Sequence, residues 1–198
     1  ADERFFLWVH LFDPHAPYEA PDHPFDPPRD GEVLDLPGYW PPPHRAITDV
    51  AWLAGAYDAE IRYTDGLVGQ LLAGLDAGGA ADRTTVVLTA DHGESLVEHD
   101  YLFDHGDNLY DPSLRIPLII RTPGGPAGVA VPCQVSSLDV VPTLVALTGL
   151  GADPGRAGRD LLALAAGDDC PDRPVVSTTV AGRFVAVPPV DHALRTGA

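Results

Sequence analysis

The spacing of apolar positions changes several times along the chain, and each change marks an element. Phe5-Phe6-Leu7-Trp8-Val9 is a short continuous run of aromatic and branched residues, which predicts a buried strand. Pro14 and Pro17 then stop both helix and sheet, so the polar residues between His10 and Tyr18 fall in a loop just past that strand. Residues 20–45 are rich in Pro and Asp, with Pro41-Pro42-Pro43 near the end. An irregular stretch of this length is a functional lid, a disordered loop or a domain linker. From Asp49 the period becomes helical: Tyr57, Ile61, Thr64, Val68, Leu71, Leu72 and Leu75 share one face. This predicts a long amphipathic helix over 49–77. Asp49, Asp58 and Glu60 lie toward its start, where carboxylates suit the helix dipole, and Gly78-Gly79 ends it.

Thr85 to Ala90 predicts a second strand, apolar on both faces and therefore interior and parallel. The helix before it supplies the crossover that such a strand needs. Leu114 to Arg121 is a third strand candidate. Asp139 to Leu147 reads as a short helix with an Asp cap and a Gly149 stop. Arg159 to Ala166 adds a turn or two of helix, and Val175-Val176 and Phe184 to Val187 are weaker strand candidates. Strands alternating with helices make the fold class α/β, a layered sheet flanked by helices.

Composition narrows the function classes. The chain has 198 residues, 45% of them hydrophobic and 21% charged, the balance of one or two packed domains. Its formal net charge is −17, and all 12 basic residues are Arg. Such a field repels phosphate backbones and anionic lipid, which excludes nucleic-acid binding through a general basic surface. No apolar run reaches the ~20 residues of a membrane span. The chain begins at Ala1 and contains no Met, so a processed chain or a piece of a longer one is expected, with its compartment open. Cys133 and Cys170 form either one bridge or two thiols.

Open α/β sheets bind ligands beyond the carboxyl ends of their strands, and three polar clusters follow strands in this way. Asp91-His92-Gly93-Glu94 comes directly after Ala90. Asp91 and His92 offer a carboxylate oxygen and an imidazole nitrogen to one cation without naming the metal, and Gly93 allows close backbone approach. A polar turn after a strand would carry the same residues. His10 and His15 flank Asp13; an imidazole can bind anionic oxygens or protonate a leaving group, while a loop pinned by local hydrogen bonds is the plainer reading. Glu98-His99-Asp100 reads as a solvated acidic loop, whereas His105 precedes Gly106 in Asp104-His105-Gly106 and is placed to meet a ligand. No Ser sits in a nucleophile elbow and no Gly-rich phosphate loop is present.

Together these segments resemble the sulfatase family within the alkaline phosphatase superfamily. The resemblance is carried by HLFDPHAPY (10–18), YDAEIRYTDGLVG (57–69), VVLTADHGE (86–94), LYD with LRIPLII (109–120), VSSLDVVPTLVALTGL (135–150) and GRDLL (158–162), in the family's order. It implies a sulfatase-like layered mixed sheet, with the chain covering the second half of the catalytic domain. On that view residues 20–45 are a Pro-rich loop insertion and 167–198 begin the C-terminal region. It also implies that Asp91 and His92 bind a divalent cation, calcium by the family's habit. His15 and His105 would contact the sulfate or the departing oxygen, with His10 lining the same pocket.

The family attacks with a formylglycine made in a C-x-P-x-R or S-x-P-x-R motif, which is expected upstream together with a pair of metal-binding aspartates. Cys170-Pro171-Asp172-Arg173 has its Arg one position too early to be that motif. The implied activity is hydrolysis of a small-molecule or carbohydrate sulfate ester, with no nucleic acid partner. Two alternatives stay open: a phosphodiesterase or phosphonate monoester hydrolase of the same superfamily, using manganese or zinc where it is a phosphodiesterase, and a non-catalytic binding protein on a sulfatase scaffold. A half-sheet without its neighbouring strands exposes apolar faces, so the 198 residues alone are expected to be aggregation-prone and inactive. Export of the protein is suggested only by analogy with relatives.

Overall fold

The computed structural model describes residues 4–23, 30–36, 38, 40, 46–151, 155, 157–167, 169, 173–180 and 190–195. They fall into two compact units, one made of Ala1–Asp82 with Glu94–His105 and the other of Arg83–Gly93 with Gly106–Ala198.

The first unit is built on helix α1, Val50–Ala77. Asp49 is extended and its carboxylate accepts from the Ala51 N–H (2.8 Å) and the Trp52 N–H (3.1 Å), so it serves as an N-cap. The N–H of Gly78 returns to the Gly74 carbonyl at 3.0 Å and closes the other end. Both ends agree with the expected helix. Leu53 and Ala56 pack with Ala16, Tyr18, Leu36, Trp40, Ile47 and Phe103 into one buried cluster. Tyr18 lies at its centre, edge-on to Trp40 and Tyr57 with ring centroids 5.2 Å away in each case, the arrangement that aromatic quadrupoles favour.

Leu36 and Trp40 come from the Pro-rich stretch. Its described residues therefore supply core even though they form no helix or strand. The triple proline lies outside the described residues.

Two expectations fail in this unit. The run Phe5 to Val9 is not a buried strand: Phe6 and Trp8 are each 77% exposed, and no described residue pairs with the run. Apolar composition sets the tendency, but a strand needs a neighbour to accept its backbone hydrogen bonds. The apolar stripe of α1 is likewise only half used, since Ile61 and Leu71 stay exposed. Leu67, Gln70 and Leu71 form an open apolar groove with Val9 and Leu11.

The second unit holds two small sheets. Strand β1, Val86–Thr89, pairs antiparallel with β2, Leu118–Arg121, with Val86 opposite Arg121 and Thr89 opposite Leu118. The expected parallel interior strand is thus corrected. The connection from 90 to 117 carries no long crossover helix, only a 3₁₀ turn at Glu98–Asp100 and the short helix α2, Asp111–Leu114, and strands joined without a crossover run antiparallel. The helical turn of α2 also claims Leu114, so β2 starts later than its apolar run suggests. Strand β3, Val175–Val180, pairs antiparallel with β4, Val190–Arg195. The sequence pattern had not marked β4, and the expected strand at Phe184 to Val187 lies outside the described residues. No described helix is long and apolar enough to cross a membrane.

Helices α3, Val140–Thr148, and α4, Leu161–Ala165, are tied together through polar groups. Ser136 and Asp139 form a capping box ahead of α3, so the cap involves two residues where Asp139 alone was expected. Gly149 closes α3 in the left-handed region at φ 69°, a conformation open to Gly. The buried Asp139 carboxylate accepts from the backbone N–H groups of Ser136 (2.8 Å) and Arg159 (2.9 Å) and from Arg173 Nη2 (2.5 Å). Arg173 is therefore a structural partner. Cys133 is disulfide-bonded; Cys170 lies outside the described residues.

Two predictions follow from these buried carboxylates. Asp139→Ala removes the acceptor for three donors and strands a guanidinium, and should lower unfolding free energy by about 3 kcal/mol, read by urea denaturation of the intact protein. Glu60, on α1, is only 3% exposed. Burial first, then repulsion by Asp13, holds its carboxyl above the ordinary 4.5; Glu19 and Asp22 add repulsion, against a backbone hydrogen bond from Glu19 that lowers it. A raised acid folds best when protonated, so its contribution is complete below pH 4.5 and lost as pH rises through the folded value. Glu60→Gln should therefore melt higher than the unaltered protein at pH 7, with the gap closing below pH 4.5.

Candidate functional site

A short antiparallel bridge builds the cluster in the first unit. Ser95 and Asp104 exchange backbone hydrogen bonds at 3.1 and 3.2 Å, and Phe103 N–H adds another to the Leu96 carbonyl. Closing this loop brings Glu94 and His105, the next residues outward, opposite each other. Their side chains meet: Oε1 of Glu94 lies 3.1 Å from Nδ1 of His105, with side-chain exposures of 5% and 14%. A carboxylate can only accept, so Nδ1 carries the hydrogen. The other carboxylate oxygen, Oε2, accepts from the Tyr18 hydroxyl at 3.1 Å. Tyr57 stands beside the same carboxylate; burial, then repulsion by Glu94 and Asp58, raises its phenol above 10.

His15 joins this cluster from the loop predicted to carry it. Its ring sits 5.3 Å from that of His105, nearly perpendicular at 77°, and 4.5 Å from that of Phe12. Nδ1 of His15 donates to the Ala16 carbonyl at 2.7 Å, so this ring also keeps its basic lone pair on Nε2. The structure thus brings His15 and His105 together. His10 is exposed and takes no part in these ring contacts. His99 sits in an exposed turn with φ 61°, in keeping with its reading as a solvated loop residue.

A separate cluster follows β1, in the other unit. Nδ1 of His92 donates to the Gly93 carbonyl at 2.9 Å, and Nε2 lies 3.7 Å from Oδ1 of Asp91. Asp91 Oδ1 also accepts from the His92 N–H at 3.0 Å. The two donor atoms expected to face a cation are therefore adjacent, on side chains 79% and 39% exposed. Among the described residues, no group of three or more His, Cys, Asp and Glu side chains is placed to hold a metal ion. Asp91 and His92 offer one carboxylate oxygen and one imidazole nitrogen, the kind of atoms that ligate a cation. Gly93 has a specific reason to be glycine. Its N–H donates to the Ser113 carbonyl at 2.9 Å, and a Cβ there would collide with the Pro112 carbonyl oxygen. The close approach anticipated at Gly93 is made by the backbone ahead of β2.

Sequence reasoning passed over Glu94, Tyr18 and Tyr57 as site residues. Glu94 was visible as the fourth residue of Asp91-His92-Gly93-Glu94. Nothing in spacing alone linked it to Tyr18, 76 positions away.

Comparison with known proteins bears on these residues. Residues 1–150 match the family model described as Sulfatase. An arylsulfatase K from Danio rerio is 33% identical over 121 residues, 61% of this chain and 23% of that protein. An ulvan-active sulfatase from Formosa agariphila is 30% identical over 162 residues, 81% of this chain and 31% of its own length. Among solved structures, a phosphonate monoester hydrolase from Silicibacter pomeroyi superposes with a TM-score of 0.61 at 29% identity, covering 75% of this chain and 28% of that one. The chain spans between 23% and 31% of these two curated relatives. With three-quarters of its residues matched by one family model, the chain belongs to the sulfatase family.

Proposed function

We propose that the protein hydrolyses a sulfate ester and that this chain supplies the histidines handling the departing oxygen together with part of a cation site. The observation that carries the reading is common to three imidazoles. His15, His105 and His92 each donate Nδ1–H to an oxygen, which keeps the basic lone pair on Nε2. In His15 and His105 this suits proton exchange; in His92 it suits metal ligation. Sulfatases in general use a divalent metal ion and a formylglycine, and family membership extends that expectation to this protein. Asp91 and His92 would hold the cation, calcium by the habit of the family. When bound, it supplies positive charge opposite the sulfate oxygens. The formylglycine is expected outside these residues.

His105 and His15 are read as acting on the departing oxygen. Breaking the ester S–O bond leaves an electron pair on the alcohol or phenol oxygen, which needs a proton. His105, with Nδ1–H bonded to Glu94, can carry a second hydrogen on Nε2 and give it to that oxygen. His15, edge-on beside it, binds the sulfate or the same leaving oxygen through Nε2. His10 would extend the pocket. The relatives' names support a sulfated small molecule or carbohydrate as substrate, since one acts on ulvan and another is an arylsulfatase. The disulfide at Cys133 supports an oxidising compartment. A second reading, hydrolysis of a phosphonate monoester, is favoured by the superposition on the Silicibacter pomeroyi enzyme. The 198 residues alone are proposed to be inactive, because the nucleophile lies outside them.

The intact protein should cleave a nitrophenyl sulfate faster than the matching phenylphosphonate ester, and the reverse order would establish the second reading. Asp91→Ala should remove the bound cation, measured as metal per protein by mass spectrometry, and reduce turnover at least 100-fold. Full metal occupancy in that variant would contradict the placement of the cation.

A further inference from the structure

We propose that Glu94 is a positioning residue for His105. Its carboxylate fixes Nδ1 as the protonated ring nitrogen, and so makes Nε2 the position at which a proton is given to the departing oxygen. The inference rests on the reading of His105 as proton donor and adds a residue that the sequence did not mark.

Three observations carry it. First, the contact is short and nearly closed to solvent: 3.1 Å between side chains 5% and 14% exposed. Water competes poorly for either partner, so the hydrogen bond decides the tautomer. Second, both carboxylate oxygens are used. Tyr18 holds Oε2 while His105 takes Oε1, and Tyr18 is itself 1% exposed within the aromatic core. The carboxylate plane is thereby anchored to the packed part of the unit. Third, the backbone bridge between Ser95 and Asp104 sets the two residues opposite each other whatever the side chains do, and the His105 carbonyl accepts from the Tyr101 hydroxyl at 3.3 Å.

An imidazole bonded at Nδ1 can take and release a proton only at Nε2. The carboxylate accepts from Nδ1 and so keeps Nδ1–H whether or not Nε2 carries a hydrogen. The balance is simple: the Nε2–H bond breaks, an O–H bond forms on the leaving oxygen, and His105 returns to the neutral Nδ1–H form.

The test combines a spectroscopic and a kinetic measurement on the intact protein. Histidine is labelled with ¹⁵N, and the ring-nitrogen shifts of His105 are read at a pH where it is neutral. The unaltered protein should show the Nδ1–H tautomer. Glu94→Gln keeps an acceptor oxygen and should retain it. Glu94→Ala should move His105 toward the Nε2–H tautomer that water favours. An Nε2–H tautomer in the unaltered protein overturns the proposal even if Glu94→Ala fails to fold. Glu94→Ala should also lower kcat about 10–100-fold on an alkyl sulfate and much less on a nitrophenyl sulfate, whose oxygen leaves without a proton. Equal losses on both esters would reduce Glu94 to a structural role and overturn the proposal. Failure of the unaltered protein to cleave any sulfate ester would instead sink the sulfatase reading, and the tautomer would still decide the role of Glu94.

Discussion

A carboxylate removed from water must be matched by donors, and Glu94 is where this chain meets that constraint. Desolvating an unmatched carboxylate is prohibitive. The Tyr18 hydroxyl and His105 Nδ1 supply the match, at 3.1 Å each. The rest of the first unit follows from it. Tyr18 can present its hydroxyl only because its ring is held edge-on by Trp40 and Tyr57. Those rings are held in turn by Leu53, Ala56 and Ile47 in the same cluster. The segment carrying His15 ends in Tyr18, so the packing that satisfies Glu94 also sets His15 beside His105. A single polar contact thus joins the aromatic core to the imidazoles.

The second unit solves a related problem with backbone. Asp91 and His92 are too exposed for burial to orient them. Their geometry comes from local hydrogen bonds: the His92 N–H to Asp91, and His92 Nδ1 to the next carbonyl. Gly93 then lets the chain run against the Pro112 carbonyl. Side chains arranged this way are preformed but lightly supported, the condition expected of a partial donor set that a cation completes. Asp139 shows the opposite strategy in the same unit. Fully buried and bonded to Ser136, Arg159 and Arg173, it organises α3 and the chain leading to α4.

What the sequence made legible was local. Asp49 and Gly78 bound α1 because capping depends on neighbours a few residues away, and the same holds for Asp139 and Gly149 around α3. Asp91, His92, His15 and His105 were legible as residue types in loops after apolar runs. Pairing was not legible. Val86 to Thr89 is apolar on both sides and so resembled a parallel interior strand; its antiparallel partner is set by the connection from 90 to 117, whose short helical turns give no strong period. Phe5 to Val9 has the composition of a strand and lacks a described partner. Trp40 and Leu36 lay hidden in a stretch whose prolines suggested only a loop. The link between Glu94 and Tyr18 spans most of α1 and β1 in sequence, and no periodicity reaches that far.

The chain's charge sets the last constraint on a reading that brings an anion to these histidines. A net charge of −17 opposes a sulfate ester at long range, yet that field is screened within about 8 Å at physiological ionic strength. At contact the local groups decide. Nδ1 of each imidazole already faces an oxygen, which keeps the basic lone pair on Nε2. Glu94 accepts from Nδ1 of His105, so its charge is matched within the protein.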